Sequence, residues 1–261
     1  MTYSYYPGCT LKDRAKELDL YARASAKALG IELKELPQWQ CCGAVYPQAS
    51  DEIASRLSSV RALMNAEEGK LVTMCSACHH VIKRTNYDWN NDENFRTKAT
   101  NDMKPEVPYD GSTQVIHFLE LIRDEIGFDE LAKRVVNPLT GRKIGAFYGC
   151  MFLRPGKALA FDDPENPTII ENFIRALGAE AVTYPFRNEC CGAYVVLEDK
   201  QVAVNQVDRA LHSAKAAGVE ELITACPLCR YNLIENAVKE TMPVHYFTEL
   251  LAEALGVKEV Q

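Results

Sequence analysis

The 261-residue sequence contains no apolar run close to the ~18–20 residues that a membrane-spanning helix needs. Its first six residues provide neither the charged region nor the apolar region of a secretory signal peptide. The formal net charge is −7, and the lysines and arginines form no basic stripe of the kind that binds nucleic acid. We therefore expect a soluble, cytoplasmic protein that has no membrane span and binds no nucleic acid.

The sequence also lacks the Gly-x-Gly-x-x-Gly fingerprint, so it offers no evident site for a flavin or a nicotinamide cofactor. With 47% hydrophobic and 25% charged residues, it can form an ordinary globular core. What it has in unusual number is cysteine, with ten residues. In a chain of this length without a signal peptide, so many cysteines indicate metal or redox chemistry rather than structural disulfides.

The cysteines form two sets with one order: a single cysteine, a Cys-Cys-Gly motif and a Cys-x-x-Cys motif, separated by long gaps. The first set is Cys9, Cys41, Cys42, Cys75 and Cys78, and the second is Cys150, Cys190, Cys191, Cys226 and Cys229. A tyrosine and a Gly-Cys pair begin both sets, and alanine follows both Cys-Cys-Gly motifs. Beyond the last cysteines, residues 117–121 resemble residues 245–250 with one insertion, which makes His117 the counterpart of His245. These matches predict an internal repeat.

Short β-favouring segments precede the cysteines, and helical patterns separate them. The β-favouring segments are Tyr3–Tyr6, Ile31–Leu36, Leu71–Met74, Ile144–Tyr148, Ala181–Tyr184 and Leu222–Thr224. This alternation predicts an α/β fold of two similar repeats, each a small, mostly parallel sheet flanked by helices. The cysteines would then meet near the carboxyl ends of the strands, where open α/β sheets bind ligands. We expect the repeats to be related by pseudo-twofold symmetry.

The domain boundary is expected within residues 137–141, which contain both proline and glycine. The first cysteine-rich repeat would then span residues 1–139 and the second residues 140–261. Residues 87–111 are polar and rich in asparagine and aspartate, so we expect them to form a surface loop or insertion in the first repeat.

Three kinds of site could use these cysteines. A thioredoxin-type dithiol would use one Cys-x-x-Cys pair and leave the other three cysteines of each set unexplained. A structural zinc ion takes four ligands in a closed tetrahedron, so five cysteines are one too many. Iron–sulfur clusters are held by thiolates and contain several irons, so a fifth ligand is reasonable. The sequence therefore predicts one iron–sulfur cluster in each set, with all ten cysteines as the metal ligands.

Glycine follows both adjacent cysteine pairs. Neighbouring side chains of an extended backbone point to opposite faces, so the chain must turn sharply for both cysteines to reach one cluster. Gly43 and Gly192 permit a positive φ at low cost and would let the backbone approach the cluster. A cubane cluster needs four thiolates, so the fifth is either a spare ligand or part of a cluster of different shape. These residues leave both possibilities open.

The duplicated order of Cys, Cys-Cys-Gly and Cys-x-x-Cys resembles the cysteine-rich CCG-domain family, and within it the B-type subunits of heterodisulfide reductases. The resemblance covers essentially the whole chain, and all ten motif cysteines are present. It implies two noncubane [4Fe–4S] clusters with a small-molecule disulfide bound between them, of the coenzyme M–coenzyme B type or a bacterial equivalent. It also implies two partners, a ferredoxin-like iron–sulfur subunit and a flavin-containing subunit, of the C and A types.

The resemblance allows two functions. In the first, the chain is the catalytic subunit of a heterodisulfide-reductase-like complex and is active only within it; two facing clusters each donate one electron to the disulfide. In the second, the chain is a non-catalytic electron-transfer subunit of a lactate-, glycerol-phosphate- or succinate-converting complex. Two complete motifs favour the first function.

Two histidines are secondary candidates for the site. His117 and His245 each follow a β-like segment and begin a helix. They could be packed helix-terminal residues, or they could donate a hydrogen bond to cluster sulfur or a proton to the product thiol. Their equivalent positions in the predicted repeat favour a shared role.

Overall fold

The computed structural model describes residues 1–44, 50–104 and 109–257. These residues form two four-stranded sheets in which all neighbouring strands are parallel. The first sheet, of order β2-β1-β3-β4, contains β1 (Thr2–Tyr6), β2 (Glu32–Glu35), β3 (Lys70–Thr73) and β4 (Gln114–His117). The second, of order β6-β5-β7-β8, contains β5 (Lys143–Phe147), β6 (Glu180–Val182), β7 (Glu221–Thr224) and β8 (Val244–Tyr246). The matching order confirms the predicted α/β repeat.

Helices flank both sheets. Those of the first repeat are α1 (Cys9–Lys12), α2 (Lys16–Ala28), α3 (Leu57–Met64), α4 (Ser76–Asn91), α5 (Glu93–Met103), α6 (Phe118–Leu121) and α7 (Phe128–Arg134). Those of the second are α8 (Gly156–Leu159), α9 (Ile169–Ala176), α10 (Lys200–Ala216), α11 (Pro227–Glu235) and α12 (Phe247–Ala254). Across the described ranges, none of the helices has the length and apolar character needed to cross a bilayer.

The strands at the centre of each sheet are buried along nearly their whole length. In β1 only Thr2 is exposed, and in β5 only Lys143. Strands of a parallel sheet covered by helices on both faces have this burial pattern, since neither face meets water. The tight packing fixes where each strand ends, and it therefore fixes the position of the cysteines that come next in the chain.

The expectation of a surface loop at residues 87–111 is wrong for most of that segment. Helix α4 continues to Asn91, and α5 occupies most of the remainder, while residues 105–108 lie outside the described residues. Trp89 and Phe95 are buried and attach both helices to the core. Asp92 begins α5, because its side chain accepts a hydrogen bond from the Phe95 backbone N–H at 3.1 Å. The asparagines and aspartates that suggested a loop cap or cover these helices.

The two repeats meet through corresponding elements. Helix α2 packs along α12, and the Thr248 hydroxyl donates a hydrogen bond to the Leu18 carbonyl at 3.0 Å. The corresponding pair, α9 and α6, is also in contact. At the centre, the Ser76 N–H donates to the Ala225 carbonyl at 3.0 Å. Contacts between equivalent elements are those of a twofold arrangement. Residues 137–141 connect α7 to β5, and the division of the chain at that point stays a prediction.

Candidate functional site

The ends of the parallel strands deliver the cysteines to one region. Cys75 directly precedes α4 and Cys226 directly precedes α11, so each Cys-x-x-Cys motif starts the helix that follows a central strand. Cys9 begins α1 just after β1, and Cys150 follows β5. The adjacent pairs lie in the connections that follow the edge strands β2 and β6. The fold thus gathers segments that are far apart in the sequence.

Within each set the thiols are in direct contact. Sulfur–sulfur distances are 3.6 Å between Cys9 and Cys41 and 3.5 Å between Cys42 and Cys78. These distances are far longer than the ~2.05 Å of a disulfide bond, and all ten cysteines carry free thiols. In the second set the contacting pairs are Cys150–Cys190, Cys190–Cys191, Cys191–Cys229 and Cys226–Cys229.

The two sets are joined by a contact between equivalent residues, Cys75 and Cys226. All ten thiols therefore form one unbroken chain, called here the thiol chain. In order of contact it runs Cys9, Cys41, Cys42, Cys78, Cys75, Cys226, Cys229, Cys191, Cys190, Cys150. Its middle is buried, whereas Cys9 and Cys41 at one end are exposed and Cys150 and Cys190 at the other are half-buried. A single buried junction thus connects two sites that each reach the surface.

Hydrogen bonds between thiols divide the chain into proton acceptors and donors. They lower the pKa of three thiols, Cys42, Cys190 and Cys226. At six others the bond to a neighbouring thiol, together with burial, raises the pKa: Cys9, Cys75, Cys78, Cys150, Cys191 and Cys229. Each set therefore has at least one thiol that readily becomes the thiolate, the form that binds metal.

Both halves of this arrangement match one known protein family. Residues 3–83 and 144–234 each match the family described as the cysteine-rich domain, CCG. The chain belongs to the CCG family. The two matched segments are the two cysteine sets with their sheets, so the resemblance predicted from the cysteine order is confirmed.

Relatives of this CCG protein are subunits of reductase complexes. It is 32% identical to the 8-methylmenaquinol:fumarate reductase membrane anchor subunit of Wolinella succinogenes, over 98% of this chain and 92% of the relative. It is 26% identical to the B-type subunit of the ferredoxin/F420H2-dependent CoB–CoM heterodisulfide reductase of Methanosarcina acetivorans, over 97% of this chain and 89% of the relative. A protein of Archaeoglobus profundus that is described as similar to this B-type subunit is 23% identical over 97% and 90%.

One solved structure shares the fold. A hypothetical protein from Helicobacter pylori superposes with a TM-score of 0.75 at 12% sequence identity. The match covers 98% of this chain and 49% of that protein, so the two CCG repeats correspond to about half of the longer chain.

The donors of each CCG repeat fit an iron–sulfur cluster in their chemistry, because each site offers five thiols and thiolates are the ligands of such clusters. Among the described residues no His, Cys, Asp or Glu group has the geometry of a bound metal ion. Sulfur atoms in direct contact must move apart to admit one.

The glycines of the Cys-Cys-Gly motifs have positive φ angles, 73° at Gly43 and 85° at Gly192. The Gly192 N–H donates a hydrogen bond to the Cys190 sulfur at 3.3 Å. A side chain at Gly43 would lie 2.5 Å from the Ser55 carbonyl oxygen, and one at Gly192 would lie 2.9 Å from the Ala203 Cα. These glycines therefore also allow close packing against the helical segment that comes after each motif.

The expectation that His117 and His245 are equivalent is wrong. In the sheets, His117 pairs with Thr73, and Tyr246 is the residue that pairs with the corresponding Thr224. His117 and the Tyr246 hydroxyl both bond the Met74 carbonyl, at 2.7 and 2.6 Å. The correct alignment of the two repeats therefore needs no insertion here, and tyrosine replaces histidine in the second.

His117 acts as a helix cap in this structure. Its Nδ1 accepts a hydrogen bond from the Leu119 N–H at 3.2 Å, so Nε2 carries the proton and donates it to Met74. Burial lowers its pKa to about 3, so the ring stays neutral. His245 instead lies 3.0 Å from Glu221 and 3.5 Å from Glu249, which places its ring between two carboxylates.

Two features near the thiol chain were missed by the sequence reasoning. Tyr194 has a buried hydroxyl and interacts electrostatically with thiols of both sets. A cavity of about 610 Å³ lies between the α1–α2 region and α11, and it includes Thr10, whose hydroxyl is 3.9 Å from the Cys9 sulfur. The only sequence signal for Tyr194 is its place three residues after Cys191. The cavity has none, because it forms between repeats.

Proposed function

We propose that this chain is the catalytic iron–sulfur subunit of a reductase complex that cleaves a small-molecule disulfide. The carrying observation is the thiol chain, which runs without a break from one CCG repeat to the other through Cys75 and Cys226. Each set of five cysteines would hold one [4Fe–4S] cluster. Five thiols per site, rather than the four of a cubane, favour the noncubane form that the resemblance implies.

The two sites match the stoichiometry of the reaction. Reduction of a disulfide consumes two electrons, and each cluster would supply one. The protein itself contributes the ligands, excludes water from the junction and binds the substrate. Because the outer thiols of both sites reach the surface, electrons can enter from a partner. We infer that the partners are a ferredoxin-like iron–sulfur subunit and a flavin-containing subunit, and that the complex is cytoplasmic.

The cavity beside Cys9 is the proposed substrate pocket. Its walls include Leu18 and Leu228, and it also contains Arg14 and Arg230. Apolar walls with cationic residues suit an organic disulfide that carries anionic groups. At the equivalent place in the other half, α8 packs against α4 and closes the space. The substrate would therefore enter from the side of the first repeat.

The complex, purified anaerobically from its native source, tests this function. Oxidation of a reduced viologen dye should depend on an added disulfide such as the coenzyme M–coenzyme B heterodisulfide. Arg230→Gln should raise the KM for an anionic disulfide roughly tenfold, as expected for loss of about 1.4 kcal/mol of binding. Arg209→Gln, on α10 and outside that cavity, is the control and should leave KM unchanged. Dye oxidation that no disulfide stimulates would contradict the proposal.

A second candidate is an electron-transfer subunit of a fumarate- or succinate-converting complex. The 32% identity with the Wolinella succinogenes subunit favours it, since that identity exceeds the 26% found with the Methanosarcina acetivorans subunit. In that case the purified complex would reduce fumarate with a quinol, and disulfides would have no effect. The same preparation assayed with both substrates separates the two functions.

A further inference from the structure

The two cluster sites differ at one position that the repeat would otherwise make equivalent. Both Cys-Cys-Gly motifs continue with alanine, but the next residue is Val45 in the first repeat and Tyr194 in the second. Val45 lies outside the described residues. The sequence alone therefore shows that only the second repeat carries a hydroxyl group at this point of the motif.

The Tyr194 hydroxyl is buried and has no hydrogen-bond partner among the described residues. The residue lies in the single helical turn Ala193–Val195, which starts directly after Gly192. The Gly192 carbonyl accepts a hydrogen bond from the Val195 N–H at 3.1 Å, which fixes this turn. A buried hydroxyl without a partner is unfavourable, and such groups in native proteins usually meet a ligand or water that the chain itself does not supply.

The surroundings of this hydroxyl are the thiols of the second site and of the junction. Its pKa is raised first by burial and then by four thiols, Cys226, Cys150, Cys75 and Cys229. Three of these belong to the second set, and Cys75 is the first-set residue that contacts Cys226. The hydroxyl therefore keeps its proton and lies among sulfur ligands, and the acceptors closest to hand are sulfur atoms.

We propose that Tyr194 donates a hydrogen bond to sulfur at the second cluster and makes that cluster easier to reduce than the first. The inference rests on the proposed presence of one cluster in each repeat. A hydrogen bond to cluster or ligand sulfur stabilises the more negative, reduced state, and such bonds are among the factors that set cluster potentials. Tyr194 is thus a positioning and tuning residue that makes two similar sites unequal. An incoming electron would rest on the second site first.

Tyr194→Phe tests this proposal, because it removes the hydroxyl and keeps the ring. Anaerobic redox titration of the full chain, followed by electron paramagnetic resonance, should show one midpoint potential shifted downward and the other unchanged. Tyr231→Phe is the matched control, since Tyr231 is an exposed tyrosine of the same repeat. Its two potentials should equal those of the wild type. Equal potentials in wild type and Tyr194→Phe, at full iron content, would overturn the proposal.

A second measurement covers the case in which Tyr194→Phe loses iron. In the reduced wild-type protein, electron–nuclear double resonance should detect a strongly coupled proton that exchanges in deuterated water. A structural role for the ring predicts no such proton, and its absence would overturn the inference. Both readouts are independent of the substrate. A protein that binds no iron would instead refute the proposed function, whereas iron-loaded protein without the coupled proton would refute only the role of Tyr194.

Discussion

The glycine before each single cysteine leaves room for a thiol of the same site. A side chain at Gly8 would lie 2.8 Å from the Cys78 sulfur, and one at Gly149 would lie 3.2 Å from the Cys229 sulfur. Both glycines also have positive φ angles, 79° and 65°. The tyrosine-and-glycine signature in front of the cysteine is therefore part of the site, because it permits two ligands from distant segments to approach each other.

Gly8→Ala should deplete iron from the first site and leave the second site loaded. The added methyl group would displace the Cys78 sulfur, which touches both Cys42 and Cys75. Gly30→Ala is a matched control, because Gly30 also has a positive φ, 75°, but has nothing within 4 Å of the added atom. Iron analysis and the electron paramagnetic resonance spectrum compare the two variants. Equal iron loss in both would mean that backbone strain, and not the thiol contact, is responsible.

Cys42→Ser and Cys191→Ser should each damage only one cluster. Cys42 contacts Cys41 and Cys78, and Cys191 contacts Cys190 and Cys229, so the contacts of each remain within its own set. We expect each variant to lose or distort one spectral component and to keep the other near its wild-type intensity. Loss of both components from either single replacement would indicate one shared centre instead of two sites.

At the scale of whole elements, local patterns predicted the strands but not every helix. The strands carry continuous apolar segments, and each ends next to a cysteine, so their positions could be inferred without any tertiary information. Helix α5 has few apolar residues, and its stability comes from contacts that no local pattern reveals. Phe95, for example, packs under the Arg56 guanidinium at 4.1 Å from the ring centre. Polar composition therefore predicted a loop where tertiary contacts stabilise a helix.

Asp92→Ala should destabilise the protein by ~1 kcal/mol, the usual value for loss of an N-cap side chain. The Asp92 carboxylate accepts the hydrogen bond from the Phe95 N–H that would otherwise lack an intrahelical partner. Asn101→Ala, an exposed position near the end of the same helix, is the control and should change stability by less than about 0.5 kcal/mol. Urea denaturation measures both. If the two variants unfold at the same urea concentration, the cap does not stabilise α5.

At the scale of the molecule, the relation between the repeats could be predicted only in part. The cysteine order established that two similar units exist, since a duplicated motif is visible in the sequence. It could not show that Tyr246 replaces His117, because that needs the strand register. Nor could it show that Cys75 meets Cys226, because this contact joins residues from different repeats. Tyr194 was missed for the same reason, since the thiols around it come from distant segments.

Because one thiol pair joins the two sites, replacement of Cys75 should affect both. Wild-type protein purified anaerobically should hold roughly eight irons per chain, as two four-iron clusters require. Cys75→Ser removes a first-set ligand and also the thiol that contacts Cys226 in the second set. Both spectral components should therefore change, and the second should shift while keeping most of its iron. Cys9→Ser is the control, because Cys9 lies at the exposed end of the thiol chain and contacts only Cys41 among the cysteines of the described ranges. It should alter the first component alone. If Cys75→Ser also leaves the second component unchanged, the two sites do not communicate through the junction, and a disulfide could not be reduced by both of them at that point.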